Sequence, residues 1–272
     1  MKSRMIVALI MVVMMVATLQ SLLLLPAVKA VVAYPVPDTD TDITVAQAYA
    51  MIYSNSMPNL VIMDVRTAAQ YTGGFVPGAI NVPITPPISN PPPVFGATAF
   101  DALYAWISSP VGQSHLNDPI IVYCGSGARS EAASNILNAN GFTNVYDMPP
   151  YSTWAGAGYP TIKVTATINI NPDTLNLKSN GKWVTCYIEL PTPNSVSDIV
   201  VSTIKMDNVV PAALSPTAIG DYNSNGVPDL MVKCDRAAVQ GLLSDGEIRL
   251  PVTFTLSDGT HCGGWDIVNV IG

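Results

Sequence analysis

Two apolar runs of strand length, each handing over to a helical pattern, constrain the first half of this 272-residue chain more than any other feature. Asn59-Leu60-Val61-Ile62-Met63-Asp64-Val65 is nearly continuous in apolar residues, and so is Pro119-Ile120-Ile121-Val122-Tyr123. A strand with one wet face alternates, whereas unbroken runs suit strands covered on both faces. Helical patterns flank them. Residues 43–54 have Thr44 as N-cap, 66–71 end at Gly73-Gly74, and 97–108 carry Phe100, Leu103, Tyr104 and Trp106. Residues 130–139 put Ala132, Ala133, Ile136 and Leu137 on one face, with Gly141 as the C-cap glycine. Short strands are expected at 79–83 and 144–146. Strands alternating with helices predict an α/β domain with a central parallel sheet. Between 84 and 95, five prolines exclude helix and central strand, so this stretch reads as a stiff surface loop.

The pattern changes near Pro160. In 183–190, Val184, Cys186, Ile188 and Leu190 fall on one face, and Trp183, Thr185, Tyr187 and Glu189 on the other. Similar strands are expected at 163–170, 198–206, 230–234, 247–256 and 265–271, with turn signals at Asn171-Pro172-Asp173, Ser179-Asn180-Gly181 and Ser257-Asp258-Gly259. About six short strands predict an all-β, sandwich-like domain over 164–272, joined by a short linker.

At the N-terminus Lys2 and Arg4 precede an apolar run to about Leu25, and Val28 and Ala30 suit a signal-peptidase site. Residues 1–30 are therefore expected to be a signal peptide and 31–41 an extended lead-in; an uncleaved membrane anchor is the alternative. Either way the remainder is expected outside the cytoplasm: secreted, periplasmic or at the cell surface. Losing Lys2, Arg4 and Lys29 would take the formal charge from −7 to −10. So acidic a chain, without a basic cluster, argues against nucleic acid as a partner.

Four cysteines, none in a C-x-x-C pair, and two histidines leave little for a zinc site. Cys124 stands apart. It ends an apolar strand and is followed by Gly125, Ser126, Gly127 and Ala128, whose small side chains let main-chain N–H groups turn inward. Arg129 and Ser130 then open a helix. A thiol at a helix N-terminus gains from the dipole and the free N–H groups, which favour negative charge, and Arg129 offers a charged fork to an oxyanion. The bland reading is a core cysteine followed by a glycine turn. Cys186 and Cys234 share the apolar faces of their strands, as buried thiols or as an inter-sheet disulfide. Cys262 is placed in a turn, His261-Cys262-Gly263-Gly264.

Cys124 and Arg129 with four residues between resemble the active-site loop of the rhodanese (thiosulfate sulfurtransferase) family. The resemblance continues in Asp64-Val65-Arg66, Tyr71, and Gly74-Phe75-Val76-Pro77-Gly78-Ala79-Ile80-Asn81-Val82-Pro83, and in the closing Trp154-Ala155-Gly156-Ala157-Gly158-Tyr159-Pro160. It covers residues 42–163. Phe75 stands at the usual histidine position, Gln70 where an acid is common, Met148-Pro149-Pro150 in place of a Gly-Gly turn, and the proline-rich stretch is an insertion. The resemblance implies that Cys124 is the nucleophile and becomes a persulfide. The amides of Gly125 to Ser130 would stabilise the sulfur, and Arg129 would orient an anionic donor such as thiosulfate. A thiol or cyanide would accept the sulfur, with no cofactor for catalysis; Asp64 and Arg66 would hold neighbouring loops. Two other classes remain: a non-catalytic binding module, and a cysteine phosphatase or arsenate reductase, whose related loops are one residue longer.

In the second half, Asp221-Tyr222-Asn223-Ser224-Asn225-Gly226-Val227-Pro228-Asp229 matches the Asp-x-Asn-x-Asn-Gly calcium-loop pattern and resembles the short loops of dockerins. Asp221, Asn223, Asn225, Asp229 and the carbonyl of Val227 are the candidate ligands for a structural Ca²⁺. Val232 stands where an EF-hand has its bidentate acid, so weak binding is expected, and an Asn/Gly-rich turn is the alternative. The β-domain is expected to bind a cell-surface or protein partner.

Overall fold

The computed structural model describes residues 40–53, 57, 59–89 and 92–272. The expected signal peptide and nearly all of the lead-in lie outside these residues. Among the described residues the elements run β1 (Thr41–Asp42), α1 (Val45–Tyr53), β2 (Val61–Asp64), α2 (Ala68–Thr72), β3 (Ala79–Asn81), α3 (Asp101–Ser108), α4 (Pro110–Ser114), β4 (Pro119–Tyr123), α5 (Ala128–Ala139), β5 (Asn144–Asp147) and α6 (Tyr151–Gly156). They continue as β6 (Val164–Thr165), β7 (Thr167–Asn171), β8 (Thr174–Asn176), β9 (Trp183–Glu189), β10 (Lys205–Met206), β11 (Val210–Pro211), β12 (Ala218–Gly220), β13 (Asp229–Asp235), α7 (Arg236–Gln240), β14 (Gly246–Thr255) and β15 (His261–Ile271).

The first five strands form one parallel sheet in the order β1-β5-β4-β2-β3. The unbroken apolar runs are explained by its two covered faces. Val61, Met63, Val65, Ile120, Val122 and Cys124 enter one core with Ala133, Ile136 and Leu137 of α5. Ile62, Ile121 and Tyr123 enter the other, with Trp154 of α6 and Ile52 of α1. Each fully buried Ile or Val here stabilises the fold by about 1.5–3 kcal/mol, so both faces contribute. The helix ends follow their capping residues. Thr44 and Gln47 exchange side-chain and backbone hydrogen bonds at the start of α1, Thr67 and Gln70 form a capping box at α2, and Gly141 has φ +92 just past α5. Helices α4 and α6 are not among the elements expected from the sequence. Each starts at a proline, Pro110 as its first residue and Pro150 as its N-cap, where a missing N–H costs nothing.

Residues 164–272 are mostly strands. One sheet runs β11-β10-β14-β15-β6, with β8 also on β15, and the other runs β12-β13-β9-β7. Apolar residues of both sheets make one core: Ile168, Cys186, Ile188, Val232 and Cys234 from the second, and Met206, Leu250, Val252, Phe254 and Val268 from the first. Two expectations are corrected. Of the strand expected over 198–206 only the end forms, as β10 at Lys205–Met206; before it stand two 3₁₀ turns, Val196–Asp198 and Val201–Thr203, where the Ser195 and Thr203 side chains bond the local backbone. His261 to Gly264 is not a turn but the start of β15. A Cβ on Gly264 would meet the Ala166 carbonyl oxygen, so the glycines serve close backbone approach. Cys186 and Cys234 lie on adjacent strands of one sheet as free thiols, so no inter-sheet disulfide joins them. Burial pushes the Cys234 and Cys262 thiols up to about 11 and raises Cys186 well above the ordinary thiol range, which keeps all three protonated at neutral pH.

Candidate active site

Strand β4 delivers Cys124 to the C-terminal edge of the parallel sheet, and α5 begins four residues later. Gly127 is the N-cap of α5 with φ +96, a conformation that side chains resist. That kink turns two N–H groups back onto the sulfur. Gly127 N–H donates to Cys124 Sγ at 3.1 Å and Ser126 N–H at 3.5 Å. The Ser130 hydroxyl lies 3.6 Å from Sγ and 2.9 Å from the Gly127 carbonyl oxygen, and its single proton serves one of them at a time. Ala128 opens α5, so its own N–H and those of Arg129 and Ser130 lack partners within the helix. Gly125 and Ser126 are exposed above a fully buried Cys124.

Arg129 is only 5% exposed. Its Nη2 donates to Gln70 Oε1 at 3.1 Å, and its buried Nη1 has no partner. A Cβ at Gly125 would sit 3.3 Å from Nη2, so this glycine leaves room for the guanidinium. Loop and arginine together set a positive charge beside several N–H donors, chemistry that suits a polarisable sulfur anion.

Asp64 and Arg66 are engaged with each other and with the surrounding loops. Arg66 Nη2 donates to Asp64 Oδ2 and to the Gly74 carbonyl oxygen, both at 2.6 Å, and Nε reaches both Asp64 oxygens at 3.0 Å. Its guanidinium carbon lies 3.9 Å from the Tyr151 ring centroid, and Tyr151 N–H donates to the Cys124 carbonyl oxygen at 2.9 Å. Burial opposes the charge on Arg66, but its bonds to Asp64 outweigh that and raise its pKa. Phe75, at the usual histidine position, stacks on Tyr71 with centroids 4.0 Å apart.

Two neighbours were missed in the sequence. Gln70 was singled out only as standing where an acid is common, and nothing local shows its contact with Arg129, 59 positions away. Asp147 ends β5 beside Ser130; burial pushes its carboxyl up to about 8, against a hydrogen bond from Ser130 that lowers it.

The loop expected to hold Ca²⁺ is knitted by its own side chains. Asp221 accepts from Asn225 and Gly226 N–H at 3.1 and 3.0 Å, Asn223 Oδ1 from Asn225 N–H at 3.0 Å, and Asn225 Oδ1 from Val227 N–H at 2.7 Å. Asp229 accepts from Tyr222 N–H at 2.8 Å. Strand β9 adds Glu189, whose Oε2 accepts from Asn225 Nδ2 at 2.8 Å and Asn223 Nδ2 at 3.4 Å. Val232 is buried in the core and cannot ligate. The oxygens are of the right kind, but among the described residues no three His, Cys, Asp or Glu side chains are grouped to hold a metal.

The rhodanese-like domain family matches residues 44–149. Thiosulfate sulfurtransferase 16, chloroplastic, of Arabidopsis thaliana is 40% identical over 100 residues, 36% of this chain and 77% of that protein. Thiosulfate:glutathione sulfurtransferase of Saccharomyces cerevisiae is 29% identical over 102 residues, 37% of this chain and 68% of that protein. Among solved structures, a rhodanese-related protein from Thermoplasma volcanium is 21% identical and covers 45% of this chain and 98% of its own, with a TM-score of 0.33. By the loop at Cys124, the parallel sheet that carries it, the family match over 44–149 and the 40% identity to the Arabidopsis protein, the chain belongs to the rhodanese-like family, with sulfurtransferases among its relatives.

Proposed function

We propose that this chain is an exported sulfurtransferase that carries sulfane sulfur from a donor such as thiosulfate to a thiol or cyanide through a persulfide on Cys124. One observation carries the reading: two backbone N–H groups aim at Sγ in the same loop that holds a buried guanidinium with an unpartnered Nη1. The Cys124 thiolate attacks the outer sulfur of thiosulfate. An S–S bond forms, the bond from that sulfur to the sulfonate breaks, and sulfite leaves with the electron pair. The acceptor thiolate or cyanide then attacks the terminal sulfur, and Cys124 departs as the thiolate. The N–H groups of Ser126 and Gly127 and the Ser130 hydroxyl stabilise the negative sulfur at both stages, and Arg129 Nη1 receives a donor oxygen. Because Cys124 is buried, the donor enters past the exposed Gly125 and Ser126. Cys124→Ser is expected to abolish thiocyanate formation from thiosulfate and cyanide; retained activity in that variant would overturn the assignment.

The same reading takes residues 1–30 as an export signal, 31–41 as a lead-in, 42–163 as the sulfurtransferase domain and 164–272 as a β-sandwich around its shared core. The sandwich serves a cell-surface or protein partner; Leu214 and Ile219, 70% and 55% exposed, are apolar positions open to one. Weak Ca²⁺ binding at 221–229 would require Glu189 to take the place of the missing loop acid. Calorimetry with millimolar Ca²⁺ tests this, and absence of both heat and thermal stabilisation counts against it.

A further inference from the structure

A cavity of about 640 Å³ lies where the edge strand β3 meets the β14–β15 hairpin. Strands β2 and β3 line it with Val61, Ile62 and Ile80, the α3–α4 segment adds Trp106 and Val111, and the hairpin adds Arg249 and Trp265. Its volume is in the range of small-molecule sites, roughly 300–1,000 Å³.

Arg249 is the unusual member. Its register partner is Ile267, and Trp265 lies two residues along the same face of β15. The guanidinium carbon therefore sits 5.1 Å from the Trp265 ring centroid. On the opposite wall the chain passes closely at Gly78, where a Cβ would lie 3.5 Å from Trp265 and 3.6 Å from Arg249 Nη1. Arg249 Nε is buried without a hydrogen-bond partner, and among the described residues no carboxylate pairs with the guanidinium. Burial lowers its pKa, as expected of a cation without a counter-charge. The guanidinium is thus partly desolvated without a carboxylate partner, and a bound anion offsets that loss. Inorganic anions would gain nothing from the aromatic and aliphatic walls.

We propose that this cavity binds a small organic anion, its acid group on the Arg249 guanidinium and its apolar body against Trp106 and Trp265. The site uses none of the residues placed at Cys124 and stands whether or not the chain transfers sulfur.

Titration calorimetry of the full chain with benzenesulfonate, and with benzyl alcohol as an uncharged control, tests it. One saturable site for the sulfonate is expected, with the alcohol at least about tenfold weaker, the loss that follows from removing a charge-assisted hydrogen bond. Arg249→Met is expected to weaken the sulfonate by about tenfold or more, and Val111→Trp, at an exposed rim position, to block it by filling the cavity. Arg129→Gln is expected to leave it unchanged, which separates this site from the anion cradle at Cys124. No saturable binding at millimolar sulfonate, equal binding of the alcohol, or loss of binding in Arg129→Gln would overturn the proposal. So would undiminished binding in Arg249→Met or, should that variant not fold, in Val111→Trp.

Discussion

Arg129 is held at one end by an uncharged amide and open at the other, which sets how much of its charge reaches a substrate. A carboxylate at position 70 would neutralise part of it; Gln70 accepts one hydrogen bond and leaves the guanidinium cationic. Gln70→Ala is expected to raise the KM for thiosulfate by about tenfold, the worth of a hydrogen bond to a charged group, with a smaller effect on kcat. Steady-state kinetics check this, and an unchanged KM would show that Gln70 does not position Arg129. The buried carboxyls give a second prediction at this scale. Burial pushes Asp147 to about 8 and Asp207 to about 7, both well above the unfolded value. Between about pH 4 and pH 8 the folded state thus binds more protons than the unfolded one, and stability falls as pH rises through that window. Urea melts of Asp147→Asn/Asp207→Asn at about pH 5 and about pH 9 should show a flatter pH dependence than the native chain.

At the scale of elements, the sequence exposed whatever has a local signature. The apolar runs of β2 and β4, the Thr44 cap and the Gly141 stop all appear where their residues place them. The short β1 and α6 lack such signatures, because they are held by partners distant in sequence; α4 has one, the Ser109 cap followed by Pro110, that was overlooked. Tyr151 N–H, at the start of α6, bonds the Cys124 carbonyl oxygen, and Thr41 and Asp42 of β1 pair with Tyr146 and Asp147 of β5. Alternation misread 198–204, though not the β10 strand that follows, because it takes no account of Ser195 and Thr203 bonding their own backbone. The candidate site divides the same way: Cys124 and Arg129 were legible from spacing, whereas Gln70, Asp147 and Glu189 arrive through tertiary contact. Two substitutions test this level. Trp154→Ala, fully buried, is expected to cost about 3–5 kcal/mol in denaturant melts. Gly127→Ala forces a side chain into the φ +96 conformation, and should lose sulfur transfer while costing only about 1 kcal/mol of stability.

At the scale of the molecule, the passage from the parallel sheet to the β-strands is hydrogen-bonded on both sides and not a free linker. Ile162 exchanges backbone bonds with Phe75 at 2.8 and 2.9 Å, Lys163 N–H donates to the His261 carbonyl oxygen, and Ala166 N–H to that of Gly263. Limited proteolysis under native conditions is therefore expected to spare 160–166; early cleavage there would contradict the arrangement. The proposed sulfur transfer would thus be carried on a scaffold whose halves are tied at the segment that joins them. Its central claim, that Cys124 carries the sulfur, is tested most directly by mass spectrometry of the protein after treatment with thiosulfate and removal of excess donor. The prediction is a gain of one sulfur atom on the peptide containing Cys124, lost again on adding cyanide, with Cys186, Cys234 and Cys262 unmodified. An unmodified Cys124, or sulfur on another cysteine alone, would contradict it.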